Sequence, residues 1–525
     1  MVAYVCVPGP LAYHMQSRGF SPRVTQGTAV DLRLRCGPAA PLSPGYRLGA
    51  FYCAIKRLST FPGKARALPP GGRQFQGAPV AAGWARGSNR KRMNLGVLPS
   101  LRRSCLLCEG GSCLNRRVVI TGMGMISPLG LSVRETWEGL LNGRSGVQLI
   151  DSFPTEGFPS RMAGLVRGFD ASNYLGQREA RRACRFTQFA AAAVSEALRE
   201  AELNLEAEDR TRVGLQIGCA IGGLSVIEEQ ALALHQEGVR RINPTFVPTV
   251  IVSAAPCYIA VLLGIKGPTN APAAACATGI VALGDAARWL QRGDADVVLA
   301  GGTESTITPL ALASFSRLGA LSTRNDDPAH ACRPFDVSRD GTVVGEGAAA
   351  MVLETLEHAE RRGARILAEL AGYGFTEDGF HITAPDPCGQ GAARAMALAI
   401  RDAGLTPDDI DHIVAHGTGT PLNDVSETRA IHTVFGEHAR KLSVSSNKSG
   451  MGHTLGAAGA ISSVIGVQAM LTGMLPPTAN LETPDPECDL DYVPRQPRPA
   501  RVDTVLVNAI GFGGQNASLV LRRWA

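Results

Sequence analysis

Cys276 stands alone among small residues in "NAPAAACATGIVALGDAARWLQRG", where an irregular run gives way to an amphipathic one. Ile280, Leu283, Ala287 and Leu290 recur at helical spacing, which predicts a helix starting just past the cysteine. A thiol at a helix N-terminus meets free N–H groups and the positive end of the helix dipole. Both favour the thiolate, and the same N–H groups can hold an oxyanion. A cysteine between alanines also reads as a small buried hydrophobe, so the stretch alone leaves both readings open.

Two histidines add chemistry. "AHGTGTPLND" puts His416 at the end of a short apolar strand, before a turn of glycines and threonines. "SVSSNKSGMGHTLGAAGA" puts His453 before a second small-residue helix start, with Lys448 five residues earlier. A single histidine most often plays a structural hydrogen-bonding role. Two at strand-to-helix junctions beside Gly and Thr suit acid–base or oxyanion work. "NAIGFGGQNAS" is a glycine turn around Phe512, either a tight hairpin or a backbone that presents an N–H to substrate with the ring as a gate.

Such residues need a scaffold that brings distant segments together. Short apolar strands alternate with helical runs along the chain, which predicts an α/β fold with sheets between helices. "RRVVITGMGMISPLG" opens one such series and "DHIVAHGTGTPLND" belongs to a second. Two alike halves imply an internal duplication, expected at 114–365 and 366–525 with the seam near residues 361–371. Gly122 and Gly124 are expected in a turn after a strand ending at Thr121. Their pattern is G-x-G-x-x-S, without the acidic residue a dinucleotide site needs, so NAD is discounted.

Composition narrows the class. Sixteen of the 52 Lys and Arg residues lie in residues 1–113, against two of the 46 Asp and Glu, so an acidic body follows a basic tract. The net charge of +6 is therefore no argument for nucleic-acid binding. The tract lacks periodicity and is read as an unstructured extension: a transit peptide, a disordered tail, or the product of a start site placed too early. Its Cys105, Cys108 and Cys113 lack a fourth ligand at suitable spacing, and no metal is assigned. Elsewhere cysteines are scattered singly, as in a reducing compartment, so the cytoplasm is expected, with mitochondrion or plastid following from the transit-peptide reading. The uncharged run 242–265 is long enough to span a membrane but holds Pro244, Pro248 and Pro256. It is read as a buried core or interface helix beginning after Pro248.

Taken together and in order, "ACATG", "GGTES", "RPFDVSRDGTVVGEGA", "AHGTGTPLNDVSE", "NKSGMGH", "LGAAGA" and "NAIGFGGQN" resemble the elongating β-ketoacyl-[acyl-carrier-protein] synthases of the thiolase-fold condensing enzymes. The resemblance runs from about Arg116 to Trp524. It implies two duplicated α/β halves in an α-β-α-β-α arrangement, with no cofactor. It implies Cys276 as the acyl-carrying nucleophile and His416 and His453 as the residues that bind the malonyl thioester and promote decarboxylation. Backbone N–H groups of Cys276 and Phe512 would form an oxyanion hole. Lys448 would organise the histidines, with Glu427 as its carboxylate partner. The implied partners are an acyl carrier protein, acyl and malonyl thioesters, and a second copy of the chain. Arg178, Arg181, Arg182 and Arg185, at helical spacing in "QREARRACRF", are expected to share one face and dock the acidic carrier, unless they are only a solvated surface.

The chain departs from that family at Ser462, where an acid that helps anchor the lysine is common. It departs also at Thr342, in place of Phe in Asp-Gly-Phe, and at Ile510, in place of Phe before the glycine turn. Rival readings are a thiolase, which has a second active-site cysteine in a glycine turn, and an initiating synthase, which pairs His with Asn. Others are a cysteine hydrolase, a non-catalytic chain-length partner, which lacks the cysteine, and a polyketide- or nodulation-type synthase.

Overall fold

A computed structural model describes residues 116–524. The basic tract 1–113 and its cysteine cluster lie outside the described residues. Ten strands form the main sheet. They are β1 (Val118–Ile126), β2 (Val213–Gly218), β3 (Thr269–Asn270), β4 (Val297–Glu304), β5 (Gly347–Thr355), β6 (Ala368–Glu377), β7 (His412–Val414), β8 (Ser443–Ser445), β9 (Thr504–Ile510) and β10 (Gln515–Arg523). Their order across the sheet is β8-β7-β9-β10-β6-β1-β5-β4-β2-β3.

That order is a repeat. Within the first five strands and within the last five, the spatial sequence is third, second, fourth, fifth, first. The pairing senses repeat as well: first with fifth and fifth with fourth are antiparallel, and fourth with second and second with third are parallel. The halves join through β1 and β6 at only two residue pairs, Val119 with Glu369 and Ile120 with Ala368.

Helices fill three layers. Helix α1 (Arg185–Glu200) lies on β1, β5 and β4, and helix α3 (Gln390–Asp402) lies on β6, β10 and β9. Between the two sets of strands run α2 (Thr278–Arg292) and α4 (Ala458–Thr472), packed on each other and on strands of both halves. The internal duplication expected from strand–helix alternation, and the α-β-α-β-α arrangement implied by the resemblance, are both present. The apolar spacing that predicted α2 is also correct, since Ile280, Leu283, Ala287 and Leu290 are all buried.

The glycines of β1 do not form a turn, because the strand continues to Ile126. A Cβ at Gly122 would lie 2.2 Å from the Ala197 carbonyl oxygen of α1, and one at Gly124 would lie 1.9 Å from that of Ala193. On β6, Gly372 and Gly374 meet Ala399 and Ala395 of α3 in the same way, at 2.1 and 2.2 Å. Each half thus uses a Gly-x-Gly pair to seat its outer helix on the strand, and the duplication extends to packing.

The uncharged run 242–265 is not one helix after Pro248. It forms two short helices, Phe246–Val250 and Ala254–Leu263, broken between them, with Pro248 inside the first. Among the described residues, the one helical segment long and apolar enough to cross a membrane is Leu455–Thr472, and it is packed in the core.

Candidate active site

The duplication places the site. Cys276 follows β3, the third strand of the first half, and Lys448 and His453 follow β8, the third strand of the second. The two loops face each other across α2 and α4. His416 comes two residues after β7, and Phe512 lies between β9 and β10.

Cys276 precedes the Ala277 N-cap of α2. Ala275 before it has φ +46, and Leu455 beyond His453 has the same value. Non-glycine residues in this region carry strain of about 1–3 kcal/mol each, which persists where surrounding packing enforces it. Here both sharp turns aim the side chains beside them into one space. The His453 Nε2 lies 3.0 Å from the Cys276 sulfur. The rings of His416 and His453 stand edge to face, with centroids 5.2 Å apart. The Phe512 backbone N–H is directed at the same sulfur.

These groups line a cavity of about 350 Å³. Its wall runs from Cys276, only 6% exposed, to the exposed Leu422 and Phe512, so the thiol communicates with the outside. The sulfur and the two imidazoles could in principle hold a metal, since one ligand atom of each lies within 4.8 Å of the others. A zinc site would want a thiolate and a fourth ligand. Among the described residues the group holds these three ligands and no fourth His, Cys or carboxylate.

Electrostatics depart from the sequence expectation. Burial pushes the Cys276 thiol up to about 11, and the opposing pull of Lys448 and of the Phe512 N–H does not overcome it. The helix start therefore does not give a resting thiolate, because the cost of an anion in a closed cavity outweighs these dipoles. Burial, with the nearby Lys448 charge, also holds His416 and His453 well below the usual histidine range, so both are neutral. Neither Nδ1 has a hydrogen-bond partner among the described residues, so neither ring is fixed in one tautomer.

Lys448 and Glu427 do not form the direct pair expected of them. The Lys448 ammonium donates to the His416 carbonyl oxygen, while the Glu427 carboxylate accepts from the N–H groups of His416 and Gly417, each at 2.8 Å, and from Asn508 at 3.2 Å. Burial lowers Lys448 and raises Glu427, and Glu427 offsets the fall at Lys448 through space. Ser462 donates to Asn447 at 3.0 Å.

The arginines do not share a helix face. Arg178 lies in a short helix, Gln177–Ala180, which stops before α1 starts at Arg185. Arg178, Arg181 and Arg182 are exposed, and none forms an ion pair among the described residues. Arg185 is half-buried: it grips the buried Glu346 with two hydrogen bonds of 2.9 and 2.8 Å and lies over the Phe189 ring.

Sequence reasoning gave no role to two buried acids. Glu304, the acid of "GGTES", accepts from the Cys219 thiol and the N–H groups of Ala220 and Gly456, and so ties the two halves together beneath Cys276. Burial raises it to about 7. Asp424 accepts from Thr418, Gly419 and Phe335 N–H groups and fixes the turn after His416. The signal for Glu304 was a carboxylate at the end of an otherwise apolar strand.

Two duplicated five-stranded halves around a shared helical layer, with a cysteine at one loop and imidazoles at the facing ones, define a thiolase-like fold. The chain belongs to the beta-ketoacyl synthase family: the N-terminal domain of that family matches residues 115–359 and the C-terminal domain residues 367–482. It is 47% identical over 409 residues to a 3-oxoacyl-[acyl-carrier-protein] synthase 2 of Synechocystis, covering 78% of this chain and 98% of the relative. The corresponding Staphylococcus aureus enzyme is 46% identical over 410 residues, covering 78% and 99%. Among solved structures, a beta-ketoacyl synthase from Burkholderia phymatum is similar, with 36% identity and a TM-score of 0.73 over 78% of this chain and all of that one. Equal values relate it to a type II polyketide ketosynthase, bound to a hexaketide, in complex with its acyl carrier protein.

Proposed function

We propose that this protein catalyses the decarboxylating condensation of a malonyl-[acyl-carrier protein] with an acyl chain held on Cys276, giving a 3-oxoacyl-[acyl-carrier protein] in fatty acid elongation. The observation that carries the reading is the 3.0 Å approach of His453 Nε2 to the Cys276 sulfur in a cavity shared with His416 and the Phe512 N–H.

In the first half-reaction the sulfur attacks the carrier's thioester carbonyl. The thiol proton passes through His453 Nε2 to the departing carrier thiolate, a route that suits a thiol neutral at rest. In the second, His416 and His453 each donate from Nε2 to the malonyl thioester carbonyl. The bond to the carboxyl carbon breaks, CO2 leaves, and the electron pair passes into an enolate that the two donors stabilise. The enolate carbon then attacks the acyl-Cys carbonyl. The N–H groups of Cys276 and Phe512 hold the resulting oxyanion, and its collapse expels the Cys276 thiolate, which takes up one proton. Neutral imidazoles with unlocked tautomers can serve both steps. Lys448 and Glu427 act through the His416 backbone.

The carrier protein and a second copy of the chain are the partners of this reading. Arg178, Arg181 and Arg182 form the exposed basic surface for the carrier. Residues 114–365 and 366–525 are its two halves. Higher identity to the synthase 2 relatives than to the polyketide ketosynthase favours elongation over a specialised polyketide role. A cytoplasmic location fits the bacterial relatives.

Mass spectrometry of the purified protein with acyl- and malonyl-carrier protein tests the proposal. An acyl adduct at Cys276 and a 3-oxoacyl product are expected, and a Cys276→Ala protein that still elongates overturns it.

A further inference from the structure

Glu304 ends β4 with no exposed surface, and no cation is among its hydrogen-bond partners. Its Oε2 accepts from the Ala220 N–H at 3.0 Å and from the Gly456 N–H at 3.3 Å, and its Oε1 accepts from the Cys219 thiol at 3.3 Å. Ala220 belongs to the loop after β2, in the first half of the chain, and Gly456 to the turn after His453, in the second. A carboxylate that merely filled this space would be costly, because amides and a thiol supply no counter-charge. Its backbone contacts show what it holds.

Both loops flank the Cys276 sulfur. Ile221, next to Ala220, packs on the apolar cluster that contains Cys276 and Leu455. The Gly222 N–H donates to the Cys219 sulfur at 3.2 Å, so the grip on that thiol extends along the loop. On the other side, the Gly456 N–H bond fixes the chain just beyond Leu455, whose φ of +46 needs such a restraint. Before it, the His453 N–H donates to the Val343 carbonyl at 2.7 Å, and the His453 carbonyl accepts from Gly345 at 2.8 Å. His453 is thus held between two anchors, one of them Glu304. The contact is close: a Cβ at Gly456 would lie 2.7 Å from the Ala220 nitrogen and 2.8 Å from Glu304 Oε2.

Resting on the decarboxylating reading above, we propose that Glu304 is a positioning residue for Cys276 acylation: it clamps the two loops beside the sulfur and so sets the approach of His453 Nε2 to the thiol. It stands to His453 as Glu427 stands to His416, a buried carboxylate acting on backbone N–H groups of an imidazole loop. The two differ in reach. Glu427 holds residues of the second half alone, whereas Glu304 comes from the first half and joins both. The Glu304 charge also reaches the sulfur and opposes its ionisation. Burial keeps the Cys219 and Cys276 thiols around it protonated, and Lys448 acts on Cys276 in the opposite sense to Glu304. With Glu304 raised by burial to about 7, its charge is present above that pH and lost below it.

Glu304→Ala removes the clamp, Glu304→Gln keeps an oxygen for the two N–H groups without the charge, and Gly456→Ala forces the loops apart with the carboxylate intact. Single-turnover acylation of Cys276 by acyl-carrier protein is followed by mass spectrometry, with thermal melts alongside. Glu304→Ala should slow acylation about 10- to 100-fold, as expected for lost hydrogen bonds to a charged group. Glu304→Gln should recover acylation to within about threefold of wild type. Gly456→Ala should slow acylation as well, and adding Glu304→Ala to it should cost little more. Iodoacetamide labelling of Cys276 in Glu304→Gln should exceed wild type by about three- to tenfold above pH 7 and match it below. Unchanged acylation in Glu304→Ala overturns the inference. So does a Glu304→Gln protein that acylates as slowly as Glu304→Ala, or that labels like wild type at every pH. If Glu304→Ala does not fold, Glu304→Gln and Gly456→Ala decide. Wild-type protein that forms no acyl adduct at Cys276 overturns the decarboxylating reading itself.

Discussion

Lys448 and Glu427 hold opposite ends of the same residue: the ammonium donates to the His416 carbonyl, and the carboxylate accepts from the His416 N–H at 2.8 Å. A buried cation and a buried anion are thus coupled through one peptide segment, which keeps the imidazole in register. Glu427→Gln leaves Lys448 without its compensating field and weakens the grip on two N–H groups. Condensation is expected to fall about 10- to 100-fold, with a smaller effect on Cys276 acylation. A double-mutant cycle with Lys448→Met checks the coupling, and independent, additive effects would count against it.

The two imidazoles should separate the half-reactions. His416→Ala is expected to cut condensation by roughly 10²–10⁴-fold while acylation of Cys276 continues. His453→Ala should slow both steps, because its Nε2 touches the sulfur. Sequence alone assigned both rings to the malonyl step. Single-turnover acylation, followed by mass spectrometry, distinguishes the two variants, and equal acylation rates would contradict the division.

Thiol reactivity should follow pH. With the Cys276 thiol raised to about 11, the thiolate fraction grows about tenfold per unit from pH 7 to 9.5. Iodoacetamide labelling of this residue should rise in step, and a plateau near pH 7 would contradict a neutral resting thiol. Condensation, which needs neutral imidazoles, should persist as pH falls past 6.5, because both histidines are depressed.

Charge reversal at Arg181 and Arg182 should weaken carrier binding, most clearly at low salt, since both are exposed. Arg185→Glu should instead lower Tm, by placing a second carboxylate against the buried Glu346. Binding titrations at two salt concentrations, alongside thermal melts, separate docking from structural arginines.

Acid stability should depend on Glu354. Burial opposes its ionisation, but Arg362, His358 and Thr121 hold its carboxyl down to about 2, below its ordinary 4.5. A depressed carboxyl stabilises the fold fully above pH 4.5 and loses that contribution as pH drops toward 2, on the order of 3 kcal/mol in all. Glu354→Gln should therefore melt well below wild type at pH 7, with the gap narrowing as pH falls from 4.5 and closing only toward pH 2.

Much of this arrangement was legible in the chain. Helix α2 could be read because Ile280, Leu283, Ala287 and Leu290 keep a 3.6-residue period. The cysteine and histidine loops could be read because small residues cluster at strand-to-helix junctions. Three features could not be read locally. The ionisation of Cys276 depends on burial by distant segments, which helix position does not report. Glu427 binds backbone N–H groups, which carry no signature of their own in side-chain chemistry. Arg178 to Arg185 keep helical spacing, yet a break before α1 turns the last of them toward Glu346, 161 residues away.

The repeat of strand order has a further consequence. The thiol loop and the His453 loop occupy corresponding places in the two halves, so a lone half would need one segment to be nucleophile and proton carrier at once. Joining two copies in a single gene removes that conflict. Each copy can then specialise its own loop, and the chemistry becomes asymmetric on a scaffold that is still nearly symmetric.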